Sequence, residues 1–118
     1  MADSLFQFRH FAHNESYGIL ELSGDLDQKV LSELESILEK HNNDEALEIL
    51  FISFKRVTFV NSTCVGLLLS AFQAYDKKEK KICFVNAEKN VYDIFRVLGV
   101  TEIIPMYPTV KQAIISII

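Results

Sequence analysis

Apolar positions along the chain switch between two spacings, and each switch marks an element. "SLFQFRHFAH" (Ser4 to His13) alternates Leu5, Phe6/Phe8 and Phe11 loosely, which predicts an edge strand. "YGILELSG" (Tyr17 to Gly24) alternates more cleanly, and Asn14-Glu15-Ser16 supplies a hairpin turn, so the first two strands should be antiparallel. From Asp27 to His41 the period lengthens: Val30, Leu31, Leu34, Ile37 and Leu38 fall on one face of a helix. Asp25 is placed to accept its first N–H groups, with Gln28 in the capping-box position and Lys40-His41 at its end. "ALEILFISF" (Ala46 to Phe54) is a short apolar run, read as a buried strand. Val65, Leu68, Leu69 and Phe72 return to helical spacing, predicting a helix over Ser62–Tyr75. "KICFVNA" (Lys81 to Ala87) is a third buried strand, and "EKNVYDIFRVLG" (Glu88 to Gly99) a helix closed by Gly99. "TEIIPMY" (Thr101 to Tyr107) reads as a short strand at an edge because of Pro105. A terminal helix starts at Thr109. Strands alternating with helices in this way predict an α/β fold, a mostly parallel sheet with right-handed crossovers. The loops Ser23–Asp27, Lys55–Thr63 and Asn86–Lys89 should then share the sheet edge where ligands and partners bind.

Composition narrows the class. The 118 residues fit one domain, 1–118, with a single core. An apolar content of 49% and a mean hydropathy of +0.16 argue against disorder. A net charge of −4 argues against direct nucleic-acid binding, which needs clustered Lys and Arg. The one basic cluster, Lys77-Lys78-Glu79-Lys80-Lys81, is interrupted by an acid and reads as a solvated loop. The N-terminus lacks the basic and apolar regions of a secretion signal, and no apolar run approaches the ~20 residues of a membrane span. Two cysteines, Cys64 and Cys83, suggest neither a disulfide framework nor a metal site, and a reducing cytoplasm is the expected compartment. The Asn-X-Ser/Thr triplets at Asn14 and Asn61 are then chance matches.

The second long helix carries the candidate chemistry. It opens on Asn61-Ser62-Thr63 and has no acidic residue before Asp76. Asn61 is a preferred cap, and the first N–H groups of a helix are unpaired and carry about half a positive charge. Two readings stand: a plain cap, or an anion site where a phosphate on Ser62 would meet free donors. Catalysis finds no support. Gly18, Gly24, Gly66 and Gly99 form no phosphate-cradling run. His10 and His13 should point to opposite faces of a strand, and His41 should face a helix end at the surface. Ser62 has no His to activate it, Asp25 and Asp27 read as caps, and Cys64 reads as a buried structural thiol. No cofactor, metal site or catalytic residue is expected.

In order and spacing, "LSGDLD", "VTFVNSTCVGLLLSAF", "CFVNA" and "FRVLGVTEIIPMYPTVKQAI" resemble the landmarks of the STAS domain, with the nearest likeness to bacterial anti-sigma-factor antagonists. The resemblance runs from about Gly18 to Ile118 and implies a STAS-like mixed sheet of about five strands with about four packed helices. The family pattern Asp-Ser-Ser/Thr-Gly-Leu-Gly falls on Asn61, Ser62, Thr63, Cys64, Val65 and Gly66. By that resemblance Ser62, with Thr63 as second choice, is the hydroxyl phosphorylated by a partner serine kinase that is also the anti-sigma factor. Unphosphorylated, such a protein sequesters the kinase and frees a sigma factor, and a PP2C-type phosphatase resets it. The implied partner surface comprises Asp25, Asp27, Asn61, Ser62, Thr63, Cys64 and Gly66. Two positions depart from the pattern: Asn61 keeps the cap but removes an acid, and Cys64 replaces a glycine, which would make the docking surface bulkier. STAS-like proteins also serve as non-switching subunits of larger assemblies such as lipid-transporting ABC systems. In that alternative the apolar end "AIISII" would dock on another chain.

Overall fold

The computed structural model describes residues 6–11 and 14–117. Its elements are β1 (Phe6–Phe11), β2 (Asn14–Leu26), α1 (Leu31–Asn42), β3 (Ile49–Val60), α2 (Ser62–Lys77), β4 (Lys81–Val85), α3 (Lys89–Val97), β5 (Met106–Tyr107) and α4 (Val110–Ile117). The five strands lie in chain order, β1-β2-β3-β4-β5. Only the β1–β2 pair is antiparallel; the other three pairs are parallel. This is the mixed, mostly parallel sheet with four helices that the resemblance implies.

Buried strands present apolar side chains to both faces, and the period of two sorts them into two cores. Leu20, Leu22, Leu50, Ile52, Phe54, Ile82 and Phe84 pack with α1, α2 and α3 in the larger core. Ile19, Phe51, Cys83 and Val85 point the other way and meet α4 through Ala113. The segment "AIISII" therefore covers its own sheet, with Ile114 and Ile117 packed inward and Ile115 exposed.

Several sequence-based expectations are corrected. Phe11 pairs with Asn14, so Asn14-Glu15-Ser16 begins β2 rather than forming a turn; His13 lies outside the described residues. The expected loops Ser23–Asp27 and Lys55–Thr63 are largely strand, because β2 and β3 pair as far as Leu26 and Val60. Thr101–Tyr107 is strand only at Met106–Tyr107. Val100–Glu102 is a 3-10 turn, and the two fully buried residues, Val100 and Ile104, stand four apart, a helical spacing. Gly99 does close α3 in the left-handed region, at φ 80°.

Two polar groups are buried that were expected at the surface. Lys80 is 9% exposed, and its ammonium donates to the carbonyls of His41, Asn42 and Asp44 at 3.0, 2.7 and 2.6 Å. One lysine of the basic cluster thus satisfies the open carbonyl end of α1, where a cation is favoured. His41 is 6% exposed and stacks on Phe8 of β1 at 3.7 Å between ring centroids. Phe8 in turn lies over Gly18, where an added Cβ would come within 2.6 Å of its ring. The glycine makes room for the stack.

Candidate functional site

The candidate site sits where β3 ends and α2 begins, and β3 reaches it through two irregularities. Glu21 pairs with Ser53 and Ser23 with Arg56, then Gly24 with Val57 and Asp25 with Phe59, so β3 holds one extra residue at each shift. Bulges of this kind bend a strand and re-aim its side chains. They explain why Val57 and Val60 are both buried three residues apart, while Thr58 and Phe59 face outward. Phe59 is left 46% exposed beside the helix start.

Asn61 performs the capping role its sequence position predicts. Its Oδ1 accepts from the Cys64 amide at 2.8 Å, and its own amide donates to the Leu26 carbonyl at 2.9 Å, locking the mouth of α2 onto β2. Ser62 and Thr63 then occupy the first two helical positions. Both are exposed, and neither hydroxyl has a hydrogen-bond partner among the described residues. Their backbone N–H groups lie in the first turn, where a helix has no carbonyl to offer. Gly66 is one turn further along the same face, and a Cβ added there would meet nothing within 4 Å.

The two aspartates divide the work differently from the sequence expectation. Asp25 is an exposed β2 residue whose Oδ1 accepts from the Thr58 hydroxyl at 2.7 Å, tying the two strand tips together. The cap before α1 is instead Asp27, which accepts from the Lys29 amide at 3.0 Å. Asp27 also lies against α2: its carbonyl is 3.5 Å from the Cys64 Sγ. The helix mouth thus has an acid close by, donated by another element, which the sequence of α2 alone conceals. Burial, and secondarily the Asp27 charge, push the Cys64 thiol up, so it stays protonated and inert. Cys64 points into the core and is fully buried, so the expectation of a bulkier docking surface is corrected.

Asn90, not singled out from sequence, and Asn86, at the start of the expected loop Asn86–Lys89, complete the edge. Asn90, one residue into α3, donates its Nδ2 to the Thr58 carbonyl at 3.0 Å and joins the start of α3 to the tip of β3. Asn86, held at φ 61°, donates to the Ser53 hydroxyl at 3.1 Å and fixes the turn out of β4. A polar residue directly after a buried strand was the only local hint of the Asn86 contact, and Asn90 inside α3 gave none. Among the described residues no group of three or more His, Cys, Asp or Glu could hold a metal, and no helix is long and apolar enough to cross a membrane.

Comparison with known proteins matches residues 10–113 to the family model described as STAS domain. No curated protein matches the sequence. Among solved structures, the chain is similar to the Bacillus cell fate determinant SpoIIAA in its phosphorylated form. That match has 18% identity, 96% of this chain and 99% of the other covered, and a TM-score of 0.70. It is similar to an anti-sigma factor antagonist from Mycobacterium paratuberculosis at 21% identity, with 94% and 91% covered and a TM-score of 0.79. A third similar structure is an anti-sigma-factor antagonist (STAS) domain protein from Planctomyces limnophilus, at 14% identity, 99% and 100% covered and a TM-score of 0.82. At these identities the likeness is one of fold.

Proposed function

The chain belongs to the STAS domain family, and from that premise we propose that it is a phosphorylation-controlled protein-binding switch, an anti-sigma-factor antagonist. Acting in the cytoplasm as one STAS domain over residues 1–118, it sequesters an anti-sigma serine kinase and frees a sigma factor. The kinase phosphorylates Ser62, which ends the complex, and a PP2C-type phosphatase restores it. One observation carries the reading: the Ser62 hydroxyl is exposed and unpartnered at a helix mouth that is held rigid from below by Asn61. A kinase can reach it without unfolding anything.

The mechanism is electrostatic. A phosphate on Ser62 adds roughly two negative charges beside Asp25 and Asp27. Inside a close-packed interface that charge loses its water without gaining a partner, at a cost of about 2–5 kcal/mol. Affinity then falls about 30- to several-thousand-fold. The free N–H groups of the first turn stabilise the phosphate on the isolated protein, so the modified form persists until a phosphatase acts. Asn61, Ser62, Thr63 and Gly66 form the proposed contact face with Asp25 and Asp27 at its border, while Cys64 supports it from beneath.

The test is a pair of variants titrated against the purified anti-sigma serine kinases of the source organism. Ser62→Ala should hold the kinase even with ATP present, and Ser62→Glu should lose at least 30-fold in affinity. If both bind like the wild type, the switch assigned to Ser62 is wrong.

A further inference from the structure

A groove of about 160 Å³ runs between α1 and α2. Buried Leu38 and Tyr75 line its base, and the Tyr75 hydroxyl donates to the Leu38 carbonyl at 2.6 Å, which fixes the spacing of the two helices. The α2 wall is built from the small residues Ser70, Ala71 and Ala74, and the α1 wall carries exposed Glu35 and Glu39. Asn42 lines the groove too, and its Oδ1 is buried with no hydrogen-bond partner among the described residues. We propose that this groove receives an arginine side chain of the partner protein that engages Ser62, an inference that rests on the switch reading above.

Charge fixes the sign of the occupant. Glu35 and Glu39 stand four apart on α1, a spacing at which like charges repel. Among the described residues neither forms an ion pair, and no Lys or Arg stands three or four positions from either. The facing wall of α2 holds no cation. The pair is therefore uncompensated within the chain, and a cation must come from outside. Both carboxylates are acceptors, as is the orphaned Asn42 Oδ1, so the occupant must also bring several donors. Size narrows it further. The groove is well below the roughly 300–1,000 Å³ of small-molecule sites, so it takes one side chain. Arginine meets every demand: its methylene stem suits the apolar base, and its planar fork carries five donors that match paired carboxylates. Arginine is also enriched in interfaces from which lysine is depleted.

The helix itself joins this groove to the switch. Ser62, Gly66, Ser70 and Ala74 follow one another at intervals of four, a single ridge of α2. Residues four apart on a helix are neighbours at about 6 Å, which puts Ser70 two steps, about 12 Å, from Ser62. A standard interface of about 800 Å² per partner, a disc of about 16 Å radius centred on Ser62, includes it. The phosphate-sensitive contact and the arginine contact then share one helix face, and each can be removed without touching the other.

The experiment has two arms on the full chain. In the first, ¹⁵N-labelled protein is titrated with N-acetyl-L-argininamide and, separately, with its lysine counterpart. Saturable shifts with the arginine probe should centre on Glu35, Glu39, Ala71 and Ala74, at lower concentrations than with the lysine probe, and disappear in the double variant Glu35→Gln/Glu39→Gln. No saturable shift, equal binding of the two probes, or a response unchanged in that variant overturns the site. In the second arm the double variant, Ala74→Leu and Ser62→Glu are compared for binding to the source organism's purified anti-sigma serine kinases. Each groove variant should lose at least 10-fold. Ala74→Leu fills the groove, keeps both carboxylates and places a good helix former at an exposed position, so it guards against a folding artefact. If either groove variant binds within twofold of wild type, the arginine site is refuted, and a loss confined to Ser62→Glu leaves the switch standing. If both groove variants weaken binding while Ser62→Glu does not, the arginine site stands and the switch falls. A wild-type protein that binds none of the kinases overturns both.

Discussion

Gly66 and Gly18 are both glycines with unremarkable φ angles in their elements, yet the chain uses them oppositely. At Gly18 the space a Cβ would need is already filled by the Phe8 ring, so the residue is kept by internal packing. At Gly66 the surroundings are open, and an exposed glycine in a helix interior costs about 1 kcal/mol relative to alanine. Gly66→Ala should accordingly raise the unfolding free energy by about 0.5–1 kcal/mol in urea titration. It should also weaken the partner complex, because only a partner could object to the methyl. Stabilisation with unchanged partner affinity would remove Gly66 from the contact face. His41 gives a second test at this scale. Burial, helped by the Lys40 charge, lowers its pKa from 6.5, so the folded protein binds this proton less readily than the unfolded chain does. The stabilising contribution is therefore complete above about pH 6.5 and declines as the pH falls through and below that value. Melting temperatures at pH 7.5 and 5.5 should show the decline in the wild type and a smaller one in His41→Phe, which retains a ring to stack on Phe8.

At the scale of elements, the C-terminal end of α1 depends on a residue nearly forty positions away. The Lys80 ammonium donates to three carbonyls there, and burial lowers its pKa without depriving it of those acceptors. Lys80→Met should cost about 1–3 kcal/mol, since the donor to those acceptors is lost. Amide exchange should accelerate first in the last turn of α1 rather than in α2, which carries the mutation's neighbours. The mouth of α2 is organised more locally, by Asn61 within its own three-residue reach, and that cap was legible from sequence. The start of the helix at Ser62 was legible for the same reason, but that Ser62 is exposed there is decided by the surrounding fold. The bulges in β3 were not: they arise from pairing with β2, and they decide that Phe59 faces solvent.

On the scale of the whole molecule, the sheet separates two cores of unequal size, and α4 is the helix packed on the smaller one, where Phe11, Tyr17 and Tyr107 of the sheet also lie against Phe51, Cys83 and Val85. Ala113 is fully buried at that contact. Ala113→Asp places an unpaired carboxylate there, and the expected outcome is undocking of α4, with a loss of at least 3 kcal/mol and new binding of a hydrophobic dye. Cys83, whose thiol burial pushes up to about 11, should become reactive to thiol reagents in the same variant while Cys64 stays protected. Equal reactivity of both cysteines would mean that the two cores unfold as one.

By itself, the sequence determined the kind and order of most elements, the cap at Asn61 and the helix start at Ser62 that follows it, because side-chain spacing and capping act over a few residues. Only the tertiary structure decided which face of the sheet each helix covers, that Asp27 rather than Asp25 caps the turn into α1, and that Lys80 and His41 are buried. Those outcomes depend on contacts between residues far apart in the chain, such as the 39 positions that separate Lys80 from the His41 carbonyl. Local pattern cannot encode such a contact, since it exists only once the sheet has brought both segments together.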